Sequence, residues 1–498
     1  MGEGRAAPLV EALTPAPDPA RCCELLDGLP YRLFLDSAVR NTRLGRYSFL
    51  SADPVAIVRS KGARAEWIDL RTGVMREADG DALDAIRALV APYRTDAVPG
   101  LPPFQGGAAG YIAYDWGRTL ERLPAPFYDD LALPDVVLGL YDWVVAWDHD
   151  ASSAWLISTG LPERSAAGRM RRASARAAMV QARLRAGRDE SRSATVDAGL
   201  VREVRDAIPA PSYPVEAARW TPRVRLRSSF THDDYLAAVT RVREYIFAGD
   251  IFQANLSQRF EVPLSEPPWT LYRRLRARNA APFSAFLDLG DAIVLSASPE
   301  RFLRADAAGH VETRPIKGTR PRGLGPEHDA ALGEALTQSA KDRAENLMIV
   351  DLMRNDLSRV CRPGSVRVPE LFALERYATV HHLVSTVVGD LAPGRDAIDL
   401  LRAAFPGGSI TGAPKVRAME IIAELEPSQR SVYCGSIGYW SVTGELDTSV
   451  AIRTAVARGG RVYFGAGGGI VADSDPEQEY RETLDKARGI INVLAESA

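Results

Sequence analysis

The segment from Ser298 to Asp356 constrains the fold most strongly, because it places reactive residues at two predicted strand ends and on a predicted helix. AIVLSASPERFLRA is predicted to be a strand whose end carries Glu300, and HVETRPIKGT is predicted to be the next strand, ending at Lys317. A helix predicted from Ala330 onward carries the acidic sequence KDRAENLMIVDLMRND. A fold that joins these elements would gather an acid, an amine and metal-binding carboxylates around one small anionic substrate.

Lysine is rare in this chain: five of the 61 lysine and arginine residues are lysine. An ammonium group can lose its proton and attack carbon, whereas a guanidinium cannot. Lys317 precedes Gly318, which lets backbone approach a ligand closely, and this setting favours a functional lysine. Lys61 lies outside any such motif and is interpreted as a surface lysine retained by chance.

The composition is that of a soluble globular protein, with 46% hydrophobic and 25% charged residues. A net charge of −3 indicates no broad basic surface for nucleic acid. The four cysteines show no CxxC or Cys/His spacing, so we expect reduced thiols and a cytoplasmic location. No segment has the pattern of a signal peptide or a membrane span.

The 498 residues are enough for two domains, and the sequence pattern changes after residue 160 and again after residue 228. Residues 1–160 carry successive strand patterns and are predicted to form a mainly β unit. Residues 161–228 combine an Ala/Arg-rich helix with Pro- and Ser-rich linkers; a solvated bridging helix is favoured here over a nucleic-acid contact. Residues 229–498 are predicted to form the catalytic unit, and Thr231 is the candidate N-cap of its first helix.

Two carboxylate pairs lie on separate predicted helices, Asp342 with Glu345 and Glu479 with Glu482. The spacing of three residues puts both members of a pair on one helix face. Such oxygen ligands suit Mg²⁺, which binds few protein carboxylates and keeps water or substrate oxygens in its shell. Either pair alone would be interpreted as a solvated acidic face; together, beside the acid and the lysine, they predict a metal site.

The glycine-rich sequences do not fit nucleotide motifs. GAGGGI (Gly465–Ile470), predicted to be a loop after the strand VYF, lacks GxGxxG, and GSITGAPK lacks GxxxxGK[ST]. We expect instead that backbone amides of the glycine segment approach an anionic group. Arg453, in the predicted strand TSVAIRTAV, is a candidate carboxylate clamp, with a structural salt bridge as the alternative. Of His381 and His382, one is expected to point inward and the other outward.

The sequence resembles the chorismate-utilising enzymes. The motifs that carry the resemblance are, in chain order, SASPERF, RPIKGT, KDRAENLMIVDLMRND, HHLVS, AFPGGSITGAPKVRAMEII, CGSIGY, IRTA, AGGGIVADS and EYRETLDKA. They cover the chain densely from Phe230 to the C terminus, and FLDSAVRN and GRYSF extend the likeness more weakly into the first unit. The resemblance implies an α+β fold of antiparallel β-sheets packed face to face with helices outside, in which the two halves of the chain interleave.

Within the family, PIKGT is similar to the motif of members that aminate carbon 4 of chorismate; the anthranilate-forming members usually carry alanine at the lysine position. NAAPFSAFL agrees with this likeness. The resemblance therefore implies conversion of chorismate and ammonia to 4-amino-4-deoxychorismate, for p-aminobenzoate and folate or a related aromatic amine. One alternative is an anthranilate-forming enzyme. A second alternative is a non-catalytic tryptophan-binding protein of the same fold, but the intact acid, lysine and carboxylates argue against it.

The resemblance also implies individual roles. Glu300 would protonate the departing ring hydroxyl, and Lys317 would attack ring carbon 2 to form a covalent adduct. The implied Mg²⁺ ligands are Glu345 and Glu482, assisted by Asp342 and Glu479. The residues implied to bind substrate or line its pocket are Gly318, Thr319, His382, Tyr439, Arg453, Gly467, Gly468, Gly469 and Lys486. A tryptophan pocket, found in some members, would be bordered by Ser37, Arg46, Tyr47, Ser48, Phe49, Pro282, Phe283 and Ser284.

The ammonia source is expected to be another protein. A glutamine amidotransferase needs a nucleophilic cysteine on a tight glycine-rich turn, and none of the four cysteines lies in a GxCxG sequence. The chain is therefore expected to take ammonia from a separate glutamine amidotransferase subunit or from ammonium salts.

Overall fold

Two large antiparallel β-sheets with flanking helices form the framework of the chain. The computed structural model describes residues 7–39, 43–186, 209–215, 224–377 and 380–496. The α+β class with antiparallel sheets is confirmed. Most of the linker sequence predicted within residues 161–228 lies outside the described residues.

The strands follow one another in the order β1 (Leu9–Ala12), β2 (Leu33–Asp36), β3 (Tyr47–Ser51), β4 (Ala56–Lys61), β5 (Arg64–Asp69), β6 (Met75–Glu77), β7 (Gly107–Ile112), β8 (Val136–Tyr141), β9 (Trp143–Asp148), β10 (Ser153–Ser158), β11 (Tyr213–Pro214), β12 (Arg227–Ser228), β13 (Gln253–Pro263), β14 (Phe283–Asp288), β15 (Ile293–Ser298), β16 (Arg301–Ala305), β17 (His310–Thr313), β18 (Ile316–Pro321), β19 (Arg367–Arg376), β20 (Val380–Asp390), β21 (Gly412–Ala413), β22 (Ser436–Ser441), β23 (Leu446–Val450), β24 (Thr454–Arg458) and β25 (Arg461–Ile470).

The α-helices are α1 (Pro19–Leu25), α2 (Ala82–Val90), α3 (Ala166–Ala186), α4 (His232–Phe247), α5 (Pro268–Arg278), α6 (Pro326–Gln338), α7 (Ala340–Ser358), α8 (Ala397–Ala404), α9 (Lys415–Leu425) and α10 (Pro476–Ala495). Short 3₁₀ helices occur at Ala91–Tyr93, Tyr114–Thr119 and Gly408–Ile410. Among the described residues, no helix combines the length and apolar content needed to cross a membrane.

The strands of both sheets come from both ends of the chain. The first sheet has the order β1-β10-β9-β3-β2-β14-β15-β24-β25-β13-β12-β11, with β21 also paired to β13. The second has the order β18-β20-β17-β16-β23-β22-β7-β8-β4-β5-β6, with β19 also paired to β20. Because β2 pairs with β14 and β7 with β22, strands from residues 1–160 and 229–498 lie side by side in each sheet.

Three apolar layers hold the sheets and helices together. Between the sheets, residues such as Phe49 and Val144 of the first sheet pack with Tyr111 of the second. The outer face of the second sheet packs on α2, α7 and α8, and that of the first sheet on α1, α3, α5 and α10. The order is therefore helices, sheet, sheet, helices, as expected when each sheet buries both faces.

Two segments predicted as single strands instead cross from one sheet to the other. β15 belongs to the first sheet and β16 to the second, with Pro299 and Glu300 between them. β23 belongs to the second sheet and β24 to the first, and Arg453 lies in this connection with a φ of 50°. Proline has no N–H for a strand ladder, and a positive φ interrupts extended backbone, so each crossing coincides with a local interruption of the strand.

Two further predictions on this segment are corrected by the structure. HVETRPIKGT is divided into β17 and β18 at Arg314 and Pro315, because proline has no N–H for the strand ladder; both strands pair with β20 in one register as far as Ile316, and Lys317 lies near the start of β18. The helix predicted from Ala330 is two helices, α6 and α7. Ser339 separates them, and its side chain accepts a hydrogen bond from the Asp342 N–H at 3.2 Å, as an N-cap does.

The predicted N-cap of the first helix after residue 229 is confirmed. The Thr231 side chain accepts a hydrogen bond from the Asp234 N–H at 3.1 Å and caps α4.

Candidate active site

Glu300 lies where the chain passes from the first sheet to the second. The residue is 3% exposed, and burial raises the pKa of its carboxyl group to about 7. Hydrogen bonds from Ser409 and from the Ile316 backbone, together with the charge of Lys317, act in the opposite direction. A carboxylic acid that titrates near neutral pH is suited to donating a proton.

Lys317 lies in an irregular part of β18. The register with β20 shifts between Ile316 and Thr319, so β18 carries one additional residue there. Gly318 is part of this bulge and has a φ of 89°, which glycine adopts without strain. A Cβ atom at Gly318 would also lie 3.0 Å from Asp342 Cβ. Bulges redirect the side chains beside them, so this irregularity sets the direction of Lys317.

Burial lowers the pKa of the Lys317 ammonium group. The positive charge of Lys486 acts in the same direction, and the carboxylates of Glu345, Glu300 and Glu482 oppose it. The amine therefore lies among charged groups from two sheets and two helices. Its neutral form is more populated than the neutral form of a solvated lysine.

The four predicted metal carboxylates differ in their surroundings. Burial raises the pKa of Glu345 and of Glu479, which also accepts a hydrogen bond from Ser474 Oγ at 2.7 Å. The pKa of Glu482 is lowered, first by Lys486, whose Nζ lies 2.7 Å from its Oε1. Asp342 lies 2.7 Å from the Arg320 guanidinium and is thus already paired.

These carboxylates fit a small hard cation. Within the described residues there is no cluster of three or more His, Cys, Asp or Glu side chains in a metal-binding arrangement. Mg²⁺ does not need one, because one or two carboxylates plus water or substrate oxygens satisfy it. A Cβ atom at Gly468 would lie 2.9 Å from Glu479 Oε2 and 3.5 Å from Glu482 Oε1, so both carboxylates lie over this glycine. The donor set is oxygen only, as Mg²⁺ prefers.

The glycine segment is a strand, not the predicted loop. Gly467, Gly468 and Gly469 are part of β25 and pair with Ser257, Leu256 and Asn255 of β13, respectively. A side chain at Gly469 would collide with the Gln253 side chain. Glycine is needed here for space rather than for a turn. The Lys486 ammonium donates to the Gly467 carbonyl at 2.8 Å and ties α10 to this strand.

Arg453 is a buried cation at the second sheet crossing. Burial lowers the pKa of its guanidinium, which forms no ion pair within the part of the chain that the structure describes. Burial of His382 and, as the smaller cause, the charge of Arg453 lower the pKa of His382 to about 3. His382 is therefore neutral. His382 Nδ1 lies 2.9 Å from Thr319 Oγ1. Arg453, His382 and Thr319 thus form a wall able to receive an anion.

Both histidines of the HH pair are buried, although alternate faces of a strand predict one inward and one outward. His381 is 0% and His382 2% exposed. Helix α6 covers the face of β20 that the prediction exposes to solvent. His381 is therefore buried, and its Nε2 lies 2.8 Å from Asp329.

Tyr439 is in a different place from the other predicted substrate-binding residues. Its ring stacks on Phe104 at 4.7 Å and lies edge-on to Phe49 at 5.3 Å. It lines a cavity of about 260 Å³ between the sheets. The same cavity is lined by seven of the predicted tryptophan-pocket residues: Ser37, Arg46, Tyr47, Phe49, Pro282, Phe283 and Ser284. Ser48 lies behind this wall, where its hydroxyl donates to Asp36 at 3.0 Å.

The predictions do not include Ser409, which contacts the candidate acid, or Tyr433, which lies against β25. Ser409, in the GGSITG sequence, is hydrogen-bonded to Glu300. Tyr433 lies against β25, where its ring would meet a Cβ atom at Gly465. The signals are present, since Ser409 stands in the motif AFPGGSITGAPKVRAMEII and Tyr433 directly precedes the motif CGSIGY.

A family model described as chorismate binding enzyme matches residues 34–492, and the chain belongs to this family. A relative from Salmonella typhimurium named aminodeoxychorismate synthase component 1 is 43% identical over 466 residues, covering 94% of this chain and 93% of the relative. A Cereibacter sphaeroides relative named anthranilate synthase component 1 is 41% identical over 466 residues, covering 92% and 87%.

The fold is shared with a solved structure. The crystal structure of anthranilate synthase component I from Streptococcus pneumoniae matches with a TM-score of 0.74 and 31% identity, covering 91% of this chain and 93% of that one. Relatives of both activities thus align along nearly the whole chain, and overall identity does not separate the two. The distinction depends on the site.

Proposed function

We propose that this chain acts as an aminodeoxychorismate synthase component 1, which converts chorismate and ammonia to 4-amino-4-deoxychorismate. The observation that carries the proposal is Lys317, an amine with a lowered pKa, held near the buried acid Glu300. An anthranilate-forming site has no need of an amine nucleophile at this position. The Salmonella relative carries the same activity in its name.

The proposed reaction proceeds in two displacements. Lys317 Nζ bonds to ring carbon 2, the ring electrons shift, and the bond between carbon 4 and its oxygen breaks. Glu300 gives its proton to the departing hydroxyl, which leaves as water. Ammonia then bonds to carbon 4, the electrons shift back, and the bond from carbon 2 to Lys317 breaks. The new ammonium group returns a proton to Glu300, which restores the enzyme.

Substrate carboxylates have several partners in this arrangement. Arg453 supplies a guanidinium without an ion pair among the described residues, and Lys486 and the backbone of β25 lie across the site. Glu345 and Glu482 would hold Mg²⁺, with Asp342 and Glu479 assisting, and the metal would supply positive charge to the ring carboxylate.

Removing the metal, or either principal ligand, should stop turnover. Chelator should abolish activity and Mg²⁺ should restore it. Glu345→Gln and Glu482→Gln should each lower kcat/KM by roughly 10²-fold, because a neutral amide is a poor ligand for a hard cation. Asp342→Asn is the matched control and should cost far less, because Asp342 is paired with Arg320. Mg²⁺ titrations of activity and calorimetry measure the effect; full activity in excess chelator would contradict the site.

Product identity tests the reaction class. Purified chain with chorismate, Mg²⁺ and ammonium should form 4-amino-4-deoxychorismate, identified by mass spectrometry, and should not use glutamine by itself. Adding a glutamine amidotransferase subunit should confer glutamine-dependent turnover. Direct formation of anthranilate as the main product would establish the alternative activity.

We extend the proposal to three properties of the chain. The cavity lined by Ser37, Phe49 and Tyr439 is proposed to take tryptophan, whose ring suits its aromatic wall. The four buried, unpaired cysteines support a reducing, cytoplasmic location. The product is proposed to serve p-aminobenzoate and folate formation.

A further inference from the structure

A buried turn, residues 405–411, connects α8 to β21 and carries Ser409. Buried backbone carbonyls that have no partner in a helix or strand must find another donor. Lys415, the first residue of α9, supplies it, because its Nζ donates to the carbonyl oxygen of Ala404 at 2.8 Å and to that of Pro406 at 2.9 Å. The ammonium group of Lys415 therefore fixes the start of the turn.

The same ammonium group joins the turn to α7. Lys415 Nζ lies 2.6 Å from Asp356 Oδ2, and the side chain of Asp356 is 3% exposed. The turn also packs on this helix directly, since a Cβ atom at Gly408 would lie 2.7 Å from Leu352 Cδ2. The three N–H donors of Lys415 thus have three acceptors, one carboxylate and two carbonyls. They hold the turn against the helix that also carries the proposed metal ligand Glu345.

Ser409 is the residue through which the turn reaches the candidate acid. It is hydrogen-bonded to Glu300, and the other groups that favour the carboxylate form are the Ile316 backbone and the charge of Lys317. Lys415 directs its three donors at the turn and at α7, so its influence on Glu300 passes through the turn. A hydrogen bond depends on its distance and angle, so a small movement of the turn would weaken the contact between Ser409 and Glu300.

We propose that Lys415 is a positioning residue for the acid: it fixes the turn that carries Ser409, and thereby the hydrogen bond from Ser409 to Glu300. The inference rests on the proposed function in taking Glu300 as the acid that protonates the departing hydroxyl. It gives a role to Lys415 and Asp356, which belong to the sequence motifs but lie outside the candidate site.

The far end of the turn has its own anchor. Arg430 Nη1 donates to the Ile410 carbonyl at 2.9 Å, and this contact would remain after replacement of Lys415. We therefore expect a Lys415 variant to keep the turn and to loosen only its start.

Lys415→Met removes the three donors and keeps the length of the side chain. The rate of chorismate consumption is measured against pH with the concentration of free ammonia held constant, so that the ionisation of ammonia does not enter the profile. The apparent pKa of about 7 assigned to Glu300 should rise by about one unit, the effect of losing one hydrogen bond to a carboxylate. Lys61→Met is the matched control, because Lys61 Nζ also donates to a carboxylate, Asp135, at 3.0 Å and to a carbonyl, that of Leu133, at 2.9 Å. It should leave the profile unmoved.

Two double variants separate positioning from a general loss of stability. If Lys415 acts through Ser409, Lys415→Met should hardly move the apparent pKa when Ser409 is already alanine. Lys415→Met alone leaves Asp356 buried without its partner and should lower the Tm. Lys415→Met combined with Asp356→Leu removes both charges and should recover Tm, while the apparent pKa stays raised because the two carbonyls still lack their donor.

Each outcome decides one question. An apparent pKa that Lys415→Met leaves unmoved, or that returns to the wild-type value together with Tm in the charge-free double variant, would overturn the proposal in favour of a structural ion pair. Equal shifts with serine and with alanine at position 409 would overturn it in favour of a direct effect of the charge. If Lys415→Met does not fold, the charge-free double variant decides by comparison with wild type.

The product is identified separately by mass spectrometry. Anthranilate as the main product would overturn the proposed function, whereas a raised apparent pKa would still support the role of Lys415, because loss of the ring hydroxyl calls for an acid in either reaction.

Discussion

Replacing Lys317 with arginine should lower turnover by roughly 10³-fold or more, although the positive charge is kept. A guanidinium does not lose its proton in a protein and cannot attack ring carbon 2. Lysine can, and burial lowers its pKa here toward the neutral form. With chorismate and Mg²⁺ but no ammonia, wild type should accumulate an adduct that mass spectrometry locates on Lys317. The variant should form none.

Two further variants separate the nucleophile from its charge. Lys61→Arg is the matched control: Lys61 binds Asp129 and Asp135 at 2.8 and 3.0 Å, a role that arginine can fill, so activity should persist. Lys317→Ala should lose amination at carbon 4 and make a little anthranilate, because the anthranilate-forming members usually carry alanine there. Retention of most turnover by Lys317→Arg would show that lysine acts only as a charge.

The sequence predicts local strand positions better than the path of the chain. Strand patterns and proline or glycine positions are local signals, and they place Glu300 close to the end of β15, whereas Lys317 lies near the start of β18 and not at the end of a strand. The choice of sheet is not local. β15 pairs with β24, whereas β16 pairs with β23, and both partners are distant in sequence. The crossings at Glu300 and Arg453 therefore emerge only in three dimensions.

The glycine segment shows the same limit. Glycine predicts a turn because it allows a positive φ, but here strand pairing decides the conformation. Tyr433 and Tyr439 lie six residues apart in the sequence. Tyr439 lines the 260 Å³ cavity and Tyr433 lies against β25, and only the contacts in the fold reveal this difference.

The scarcity of lysine is a useful but incomplete signal. Lys317 and Lys486 lie in the candidate site, but Lys415 binds the buried Asp356 at 2.6 Å, and its Nζ also donates to backbone carbonyls. Lys61, interpreted from sequence as retained by chance, has two carboxylate partners. A rare residue type thus marks ion-paired structural positions as well as the candidate reactive position.

Replacing Glu300 with glutamine should lower turnover by roughly 10²- to 10⁴-fold, the usual contribution of a general acid. Glutamine keeps the shape of the side chain but cannot release a proton to the departing hydroxyl. The adduct on Lys317 should form correspondingly slowly, because the same proton transfer accompanies the first displacement. Single-turnover measurement of adduct formation without ammonia isolates this step from the ionisation of ammonia.

The pH dependence of that step tests the acid and the amine as a pair. The reactive form carries a proton on Glu300 and none on Lys317, so the rate should fall at low pH, where both are protonated, and at high pH, where both are deprotonated. One apparent pKa should lie at about 7, the value to which burial raises Glu300. Ser409→Ala should move it upward, because the hydrogen bond from Ser409 stabilises the carboxylate and its loss favours the protonated acid. Ser409→Thr keeps the hydroxyl and should restore the wild-type profile. A profile that Ser409→Ala leaves unmoved, or a Glu300→Gln variant with near wild-type rates, would assign the departing proton to another group.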